Sequence, residues 1–192
     1  MKKSLGAKPL VYPTPVFLVA SYNEDGSANV MNAAWGGICS SDPVSVAVSI
    51  RPQRHTFANI VARGAFTINI PNVKQAAVAD YFGLVSGRDC DKIKNSEMAV
   101  EKAEFVDAPV LVECPLVLEC RLAAQHQLGV HTQFIGEVAD VKIEDYCLNE
   151  NGTADIRLVD PLLFAPGNSA YFAIGDFVGK AFALGCRVGE AG

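Results

Sequence analysis

The clearest patterns in the chain lie in residues 29–64, which read NVMNAAWGGICSSDPVSVAVSIRPQRHTFANIVARG. Within this stretch, the segment Val44 to Ile50 alternates between branched apolar residues and the small residues serine and alanine. A period of two predicts a strand with one buried face. We therefore interpret residues 29–64 as a strand, a glycine-rich turn, a strand, a basic turn and a helix.

The basic turn follows the alternating strand directly. Arg51 and Arg54 precede Thr56, which we place as the N-cap of a helix that ends at Gly64 and whose apolar stripe is Phe57, Ile60 and Val61. Free N–H groups at a helix start, a hydroxyl and two arginines together favour an anion. Since the chain has a net charge of −5, this local cationic cluster indicates a partner that carries a phosphate.

The other end of the stretch offers a flat platform. Asn32, Ala33, Ala34 and Trp35 precede two glycines, which allow backbone to approach a ligand closely. The platform has an amide and an indole at one end and an anion site at the other, with small residues between them. This arrangement suits a planar heterocycle that carries a phosphate, and flavin mononucleotide (FMN) has that shape. The alternative is that Trp35 packs in the core and that the arginines are solvated.

Several segments carry a family resemblance. They are residues 15–60, FTINIP at 66–71, DPLLF at 160–164 and YFAIGDFVGKAF at 171–182. Together they resemble the flavin reductase-like, FMN-binding split-barrel family and, within it, the flavoredoxins. The resemblance covers most of the chain and is weakest over residues 95–108 and 145–156.

The resemblance implies a fold and a set of ligand contacts. It implies a Greek-key split barrel of about six strands with peripheral helices, a dimer and bound FMN. It places Lys92 over the FMN phosphate, beside Arg54 and Thr56, and it places His131 and Phe164 against the flavin ring. Ser49 belongs to the small-residue face of the platform. The alternatives are that Lys92 is solvated, that His131 has a structural role and that Phe164 packs in the core.

The order of elements supports a mainly β fold. Hairpin signals and only two clear helices predict a barrel with added helices, in one domain over residues 1–192 with an extended arm at 1–15. The expected strands are 16–22, 28–34, 44–50, 65–70, 115–124 and 131–143, with a turn at 127–129. A second helix is expected at 73–85 with Asn72 as its cap, a surface loop at 86–97, and a short strand or extended segment at 156–164.

Composition excludes several classes of protein. Half of the residues are hydrophobic and 19% are charged, which predicts a good core and an apolar interface, hence a homodimer. No basic stripe indicates nucleic acid, and no signal peptide or membrane span is recognisable, so we expect a cytoplasmic protein. The six cysteines lack CxxC spacing and do not combine with histidines at zinc spacing, so we expect free thiols and no metal.

These expectations leave more than one function open. As a carrier, the protein passes electrons through bound FMN to and from redox partner proteins. As an enzyme, it is an NAD(P)H-dependent flavin or ferric reductase. A flavin-free barrel used for protein contact is a third interpretation. We assign no catalytic side chain because the redox chemistry belongs to the flavin, and the likeness to flavoredoxins favours the carrier.

Overall fold

A computed structural model describes residues 1–187. Its strands are β1 (Thr14–Pro15), β2 (Phe17–Tyr22), β3 (Ala28–Ala33), β4 (Gly36–Ser41), β5 (Val44–Ile50), β6 (Ala65–Ile70), β7 (Val100–Lys102), β8 (Pro109–Leu111), β9 (Leu116–Leu128), β10 (His131–Ile143), β11 (Leu163–Ala165) and β12 (Ala170–Phe172). Its α-helices are α1 (His55–Arg63), α2 (Ala76–Leu84), α3 (Lys92–Ser96) and α4 (Ile156–Val159).

The main sheet closes on itself. It has seven strands in the order β3-β2-β6-β9-β10-β5-β4. Its two edge strands, β3 and β4, are joined only by Ala34 and Trp35, so the sheet must curl until its edges lie side by side. Ser49 N donates to Trp35 O across this junction at 2.8 Å. The result is a split β-barrel with peripheral helices, and the predicted fold class is confirmed.

The junction between the two edge strands depends on a glycine. A Cβ on Gly36 would lie 2.6 Å from Ala47 O and 2.7 Å from Cε2 of Phe17. Only a residue without a side chain fits where the chain crosses from one edge of the sheet to the other.

The barrel interior contains the apolar face of the alternating strand. Val46, Val48 and Ile50 are buried there with Phe66 and Phe134, as the alternation predicts, whereas the first residue of the strand, Val44, is exposed. Helix α1 covers one end of the barrel, and the ring centroids of Phe57 and Phe134 are 5.0 Å apart. The period of two in the sequence therefore corresponds to a real inner face.

A second core lies outside the barrel. It contains Leu18 and Val30 from the opposite face of the β2–β3 hairpin and Phe82 from α2. A small sheet of order β1-β11-β12 packs there through Phe164 and Tyr171. Strands β2 and β3 are thus buried on both faces.

The glycine-rich segment is a strand and not the expected turn. Residues Gly36–Ser41 form β4, which within the described residues 1–187 pairs with β5 alone. An edge strand with one partner and solvent on its other side has no need of apolar alternation. This is why the segment carried no strand pattern.

Two predictions about α1 are wrong. The N-cap residue is Arg54, and Thr56 lies inside the first turn with its hydroxyl turned towards β3. Val61 is exposed, and the buried face consists of Thr56, Asn59 and Ile60. The helix packs on polar groups of the β2–β3 hairpin, so its buried face is only partly apolar. Its end at Gly64, with φ of 64°, is as predicted.

Three further boundaries differ from expectation. Residues 86–97 contain the short helix α3, because Asp91 caps it by accepting from Lys94 N at 3.0 Å. Residues 156–164 contain α4, capped by Asp155, before β11 begins. Strand β9 continues to Leu128, so the hairpin turn is the pair Gly129 and Val130 rather than 127–129.

The N-terminal arm lies on the surface. Residues 1–13 of the predicted arm are exposed and have no regular secondary structure, and β1 pairs with β11. No helix within residues 1–187 is long and apolar enough to cross a membrane.

Candidate functional site

The basic turn opens onto a cleft of about 220 Å³ between α1, β3 and the segment that follows α2. We call it the cationic cleft. Its lining residues are Asn29, Met31, Arg51, Gln53, Arg54, His55, Thr56, Val85, Ser86, Gly87 and Lys92. Three residues predicted to bind phosphate, Arg54, Thr56 and Lys92, therefore meet here with Arg51.

The positive charges of the cleft are not neutralised by the protein. None of the described lining residues is acidic, and within residues 1–187 neither Arg51, Arg54 nor Lys92 forms a salt bridge. Burial, reinforced by the nearby Arg54 charge, lowers the pKa of Lys92 from 10.5 to about 8. Uncompensated cations in a partly desolvated cleft favour an anion.

Lys92 is buried, although its position in a polar segment suggested a solvated side chain. Helix α3 directs it inward, where its Nζ donates to Phe82 O at 3.2 Å and to Val85 O at 3.4 Å. An ammonium group has three donors, so one remains for a ligand in the cleft.

Thr56 is held by Asn29, a residue that the sequence patterns did not single out. Asn29 Nδ2 donates to Thr56 Oγ1 at 2.7 Å. Because the hydroxyl accepts this bond and donates to no residue within 1–187, its proton is available to an anion. An asparagine on a strand has no distinctive pattern, and only the contact between β3 and α1 identifies it.

Asn29 also has an unsatisfied atom. Its Oδ1 is buried and has no hydrogen-bond partner in the described chain. A Cβ on Gly87 would overlap this oxygen, so glycine is needed for the cleft wall to approach Asn29. A buried polar atom without a partner is costly, and a ligand hydroxyl in the cleft would satisfy it.

The platform residues are divided between two faces of β3. Asn32 faces α2, where its Nδ2 donates to Ala79 O at 2.8 Å and to Tyr171 Oη at 3.2 Å. Ala33 faces the barrel core, so only its backbone is available to a ligand. Ala34 and Trp35 form the crossing to β4 and are half-buried.

His131 lies near the basic turn. It is the first residue of β10, whose next residue, Thr132, pairs with Ile50. Burial, followed by the charge of Arg51, lowers the pKa of His131 below 6.5. Ser49 pairs with Gln133 in the same ladder. The imidazole is therefore neutral near pH 7, at the same barrel end as Arg51 and Ser49.

Phe164 does not line the cationic cleft. It belongs to β11, and its ring centroid lies 5.7 Å from that of Tyr171. Tyr171 in turn contacts Asn32. The structure thus brings Phe164 close to Asn32 through Tyr171, and it separates both from the cleft. The roles of the platform residues, His131 and Phe164 as ligand contacts stay predictions.

The residues of the cleft fit a phosphate monoester. Guanidinium groups, an ammonium, a hydroxyl proton and the unpaired N–H groups at the start of α1 are the donors that a phosphate needs. The buried Asn29 oxygen, which has no partner within residues 1–187, is a further acceptor beside these donors. Such a donor set matches a phosphorylated ligand such as FMN.

Comparisons with known proteins agree with this fold. The family described as flavin reductase like domain matches residues 10–173. The chain is similar to flavoredoxin of Desulfovibrio vulgaris (Miyazaki F), with 48% identity and a TM-score of 0.93 over 96% of this chain and 100% of that one. It is also similar to flavoredoxin from Methanosarcina acetivorans, with 31% identity and a TM-score of 0.90 over 97% and 98%. An uncharacterized protein of Pyrococcus abyssi is 32% identical over 129 residues, which are 67% of this chain and 73% of that protein.

Proposed function

Because the chain belongs to the flavin reductase-like domain family, we propose that it is an FMN-binding redox protein that carries electrons by means of its bound flavin. The family supports a flavin as cofactor. The cationic cleft supports FMN in particular, since riboflavin has no phosphate to occupy it. The 48% identity to a flavoredoxin supports the carrier over the alternative of an NAD(P)H-dependent reductase.

The cationic cleft holds the phosphate in this proposal. Arg54 and Lys92 supply charge, and Thr56 donates its hydroxyl proton. Asn29 orients Thr56 through the 2.7 Å hydrogen bond. Because Lys92 is already buried and bonded to the carbonyl oxygens of Phe82 and Val85, little side-chain entropy is lost when it meets the phosphate.

The ring-side residues, which we define as Asn32, Ala33, Ala34, Trp35, Ser49, His131 and Phe164, hold the ring. Backbone at the crossing from β3 to β4 also contacts the ring in this proposal. The neutral imidazole of His131 donates or accepts a hydrogen bond without adding a charge at neutral pH. Arg51 adds positive potential at the same end of the barrel.

FMN, when bound, supplies the redox chemistry, because its ring stores and releases electrons. The side chains bind, orient and bias the ring, and none is assigned a proton transfer. The electron donor and acceptor are redox partner proteins in this proposal.

The observation that carries the proposal is the set of cations in the cleft that form no salt bridge with a carboxylate within residues 1–187. The purified protein is expected to be yellow or to become yellow with added FMN. A fluorescence titration should show tighter binding of FMN than of riboflavin. A colourless protein that binds neither ligand would overturn the proposal and favour the flavin-free barrel.

A stopped-flow experiment separates the carrier from the reductase. FMN-loaded protein is mixed with NADH or NADPH, and the flavin absorbance band is followed. A carrier is expected to bleach slowly with either nucleotide and rapidly with a reduced partner protein. Rapid bleaching by a nicotinamide would identify the reductase instead.

We further propose that the working unit is a homodimer. Strand β4 is an edge strand whose Ile38 is 82% exposed, and Phe177 near the C-terminus is 73% exposed. Exposed edges and large apolar side chains favour association. Light scattering at micromolar concentration should give twice the chain mass, and a monomer mass would contradict the proposal.

A further inference from the structure

A chain of hydrogen bonds links the ring-side residue Asn32 on β3 to β12 and α2. Asn32 on β3 donates through Nδ2 to Ala79 O at 2.8 Å and to Tyr171 Oη at 3.2 Å. Tyr171 on β12 donates its hydroxyl proton to Asp80 Oδ1 on α2 at 3.0 Å. The chain therefore runs from Asn32 through Tyr171 to Asp80.

The donors and acceptors of this hydrogen-bond chain fix the orientation of the Asn32 amide, that is, which way its nitrogen and its oxygen point. The Ala79 carbonyl can only accept, and the single proton of the Tyr171 hydroxyl is committed to Asp80, so both contacts need the amide nitrogen of Asn32. Burial, with the hydrogen bond and charge of Asp80, raises the pKa of Tyr171 to about 12, so the hydroxyl keeps its proton at ordinary pH. The amide oxygen consequently points away from both contacts and accepts no hydrogen bond within residues 1–187.

We infer that Tyr171 and Asp80 are positioning residues that hold the amide oxygen of Asn32 as the acceptor for the N3–H group of the flavin ring. The inference rests on the proposed function, since it assumes that a flavin binds. The oxidised isoalloxazine ring carries one N–H, at N3, and its other polar edge atoms are acceptors. An acceptor that is fixed in position therefore pairs with the N3–H group of the ring. The neighbouring polar atoms of the ring edge are acceptors themselves, so they repel it.

The position of Phe164 agrees with this arrangement. Its ring packs on Tyr171 at 5.7 Å between centroids, so the residue whose hydroxyl orients Asn32 also orients an aromatic side chain predicted to contact the flavin. Tyr171 links two ring-side residues that lie far apart in the sequence.

The test compares riboflavin with 3-methylriboflavin, which lacks the N3–H group. Wild-type protein, Tyr171→Phe, Asn32→Ala, the double variant and Tyr146→Phe are titrated with both ligands by fluorescence. Tyr171→Phe should weaken riboflavin about fivefold, the value of one neutral hydrogen bond, and 3-methylriboflavin less than about twofold. Tyr146 is exposed and outside the chain of hydrogen bonds, so Tyr146→Phe controls for loss of a phenol hydroxyl.

The double variant shows whether Tyr171 acts through Asn32. In the Asn32→Ala background, Tyr171→Phe should cause no further loss of riboflavin affinity. A full additional loss there, or an equal loss for both ligands in the single variant, would overturn the inference and make Tyr171 a structural residue only.

Controls keep the two proposals separate. Thermal unfolding confirms that each variant is folded, and Asp80→Ala, which frees the Tyr171 proton to compete for the Asn32 oxygen, should reproduce the same ligand discrimination. If the wild type binds flavins but the discrimination is unchanged in every variant, only this inference fails. If the wild type binds no flavin, the proposed function fails with it.

Discussion

The cationic cleft and the ring-side residues are built in different ways. Arg51, Arg54 and Thr56 lie within six consecutive positions of the sequence, whereas Asn29, Lys92 and the wall at 85–87 are among the parts of the cleft that come from elsewhere. The ring-side residues come from β3, β5, β10 and β11 and from the crossing after β3. Charge dominates the first region, and hydrogen-bond polarity and aromatic packing dominate the second. In the proposed function, the phosphate end is therefore encoded locally, whereas the ring end needs the barrel to close.

Because of this difference, variants in the two regions should have different effects on the binding of FMN and riboflavin. Loss of a cation or hydroxyl in the cleft should weaken FMN and leave riboflavin unchanged. Loss of a ring-side group should weaken both ligands by the same factor. The ratio of the two dissociation constants therefore reports which region a variant affects.

The largest effect is expected from Thr56→Val combined with Arg54→Ala. Two charge-assisted contacts to phosphate are removed, so FMN binding should fall about 100-fold. Riboflavin binding should change less than about twofold, because riboflavin makes no phosphate contact. The measurement is a fluorescence titration with each ligand after a thermal unfolding check. An equal loss for both ligands would show that the cleft does not bind the phosphate.

A pH dependence is expected from Lys92. Its pKa in the free protein is about 8, and a phosphate beside it would raise that pKa, so the protonated form binds FMN more tightly. The affinity for FMN should be constant between about pH 7, above which the FMN phosphate is a dianion, and the pKa of Lys92. Above that pKa it should fall by about tenfold per pH unit, until the pKa of the complex is reached. Titrations between pH 6 and pH 10 would show this, with riboflavin as the insensitive ligand.

Lys92→Arg is the matched control for the pH dependence. A guanidinium stays charged across this range, so the fall in FMN affinity should disappear. If the fall persists in Lys92→Arg, another group controls the binding of phosphate.

A smaller effect, shared by both ligands, is expected from Trp35→Ala. An aromatic contact contributes about 1 kcal/mol beyond burial, so FMN and riboflavin should both weaken about fivefold. Thermal unfolding again confirms folding. A variant that weakened FMN alone would place Trp35 at the phosphate end and remove the distinction between the two regions.

The smallest expected effect is on the pKa of His131, a ring-side residue that lies near Arg51 of the cationic cleft. Arg51→Gln removes a charge that lowers the pKa of His131, so that pKa should rise. An NMR titration of the histidine ring signals measures it. His55, whose pKa is lowered by burial and by Arg88 and Lys92, is the internal control and should not change. An unchanged His131 would show that Arg51 does not act on the ring side.

Much of the fold was predictable because its patterns are local. The alternation of Val44 to Ile50 and the turn at Asn23 to Gly26 led to the strands and the hairpin that the structure contains. Strand β4 was missed because an edge strand has no alternation to detect. Thr56 was assigned to the cap because only its hydroxyl could be read from the sequence, whereas its hydrogen bond to Asn29 depends on how α1 packs.

The sequence by itself determined the cationic character of the turn after β5, because neighbouring residues carry it and no folding is needed to bring them together. It also determined the barrel strands through the period of two. Tertiary structure alone decided that Lys92 is buried, that Asn29 holds Thr56 and that Tyr171 orients Asn32. The contacts of Asn29 with Thr56 and of Tyr171 with Asn32 join residues 27 and 139 positions apart, and such contacts form only when the sheet has closed and the helices have packed against it.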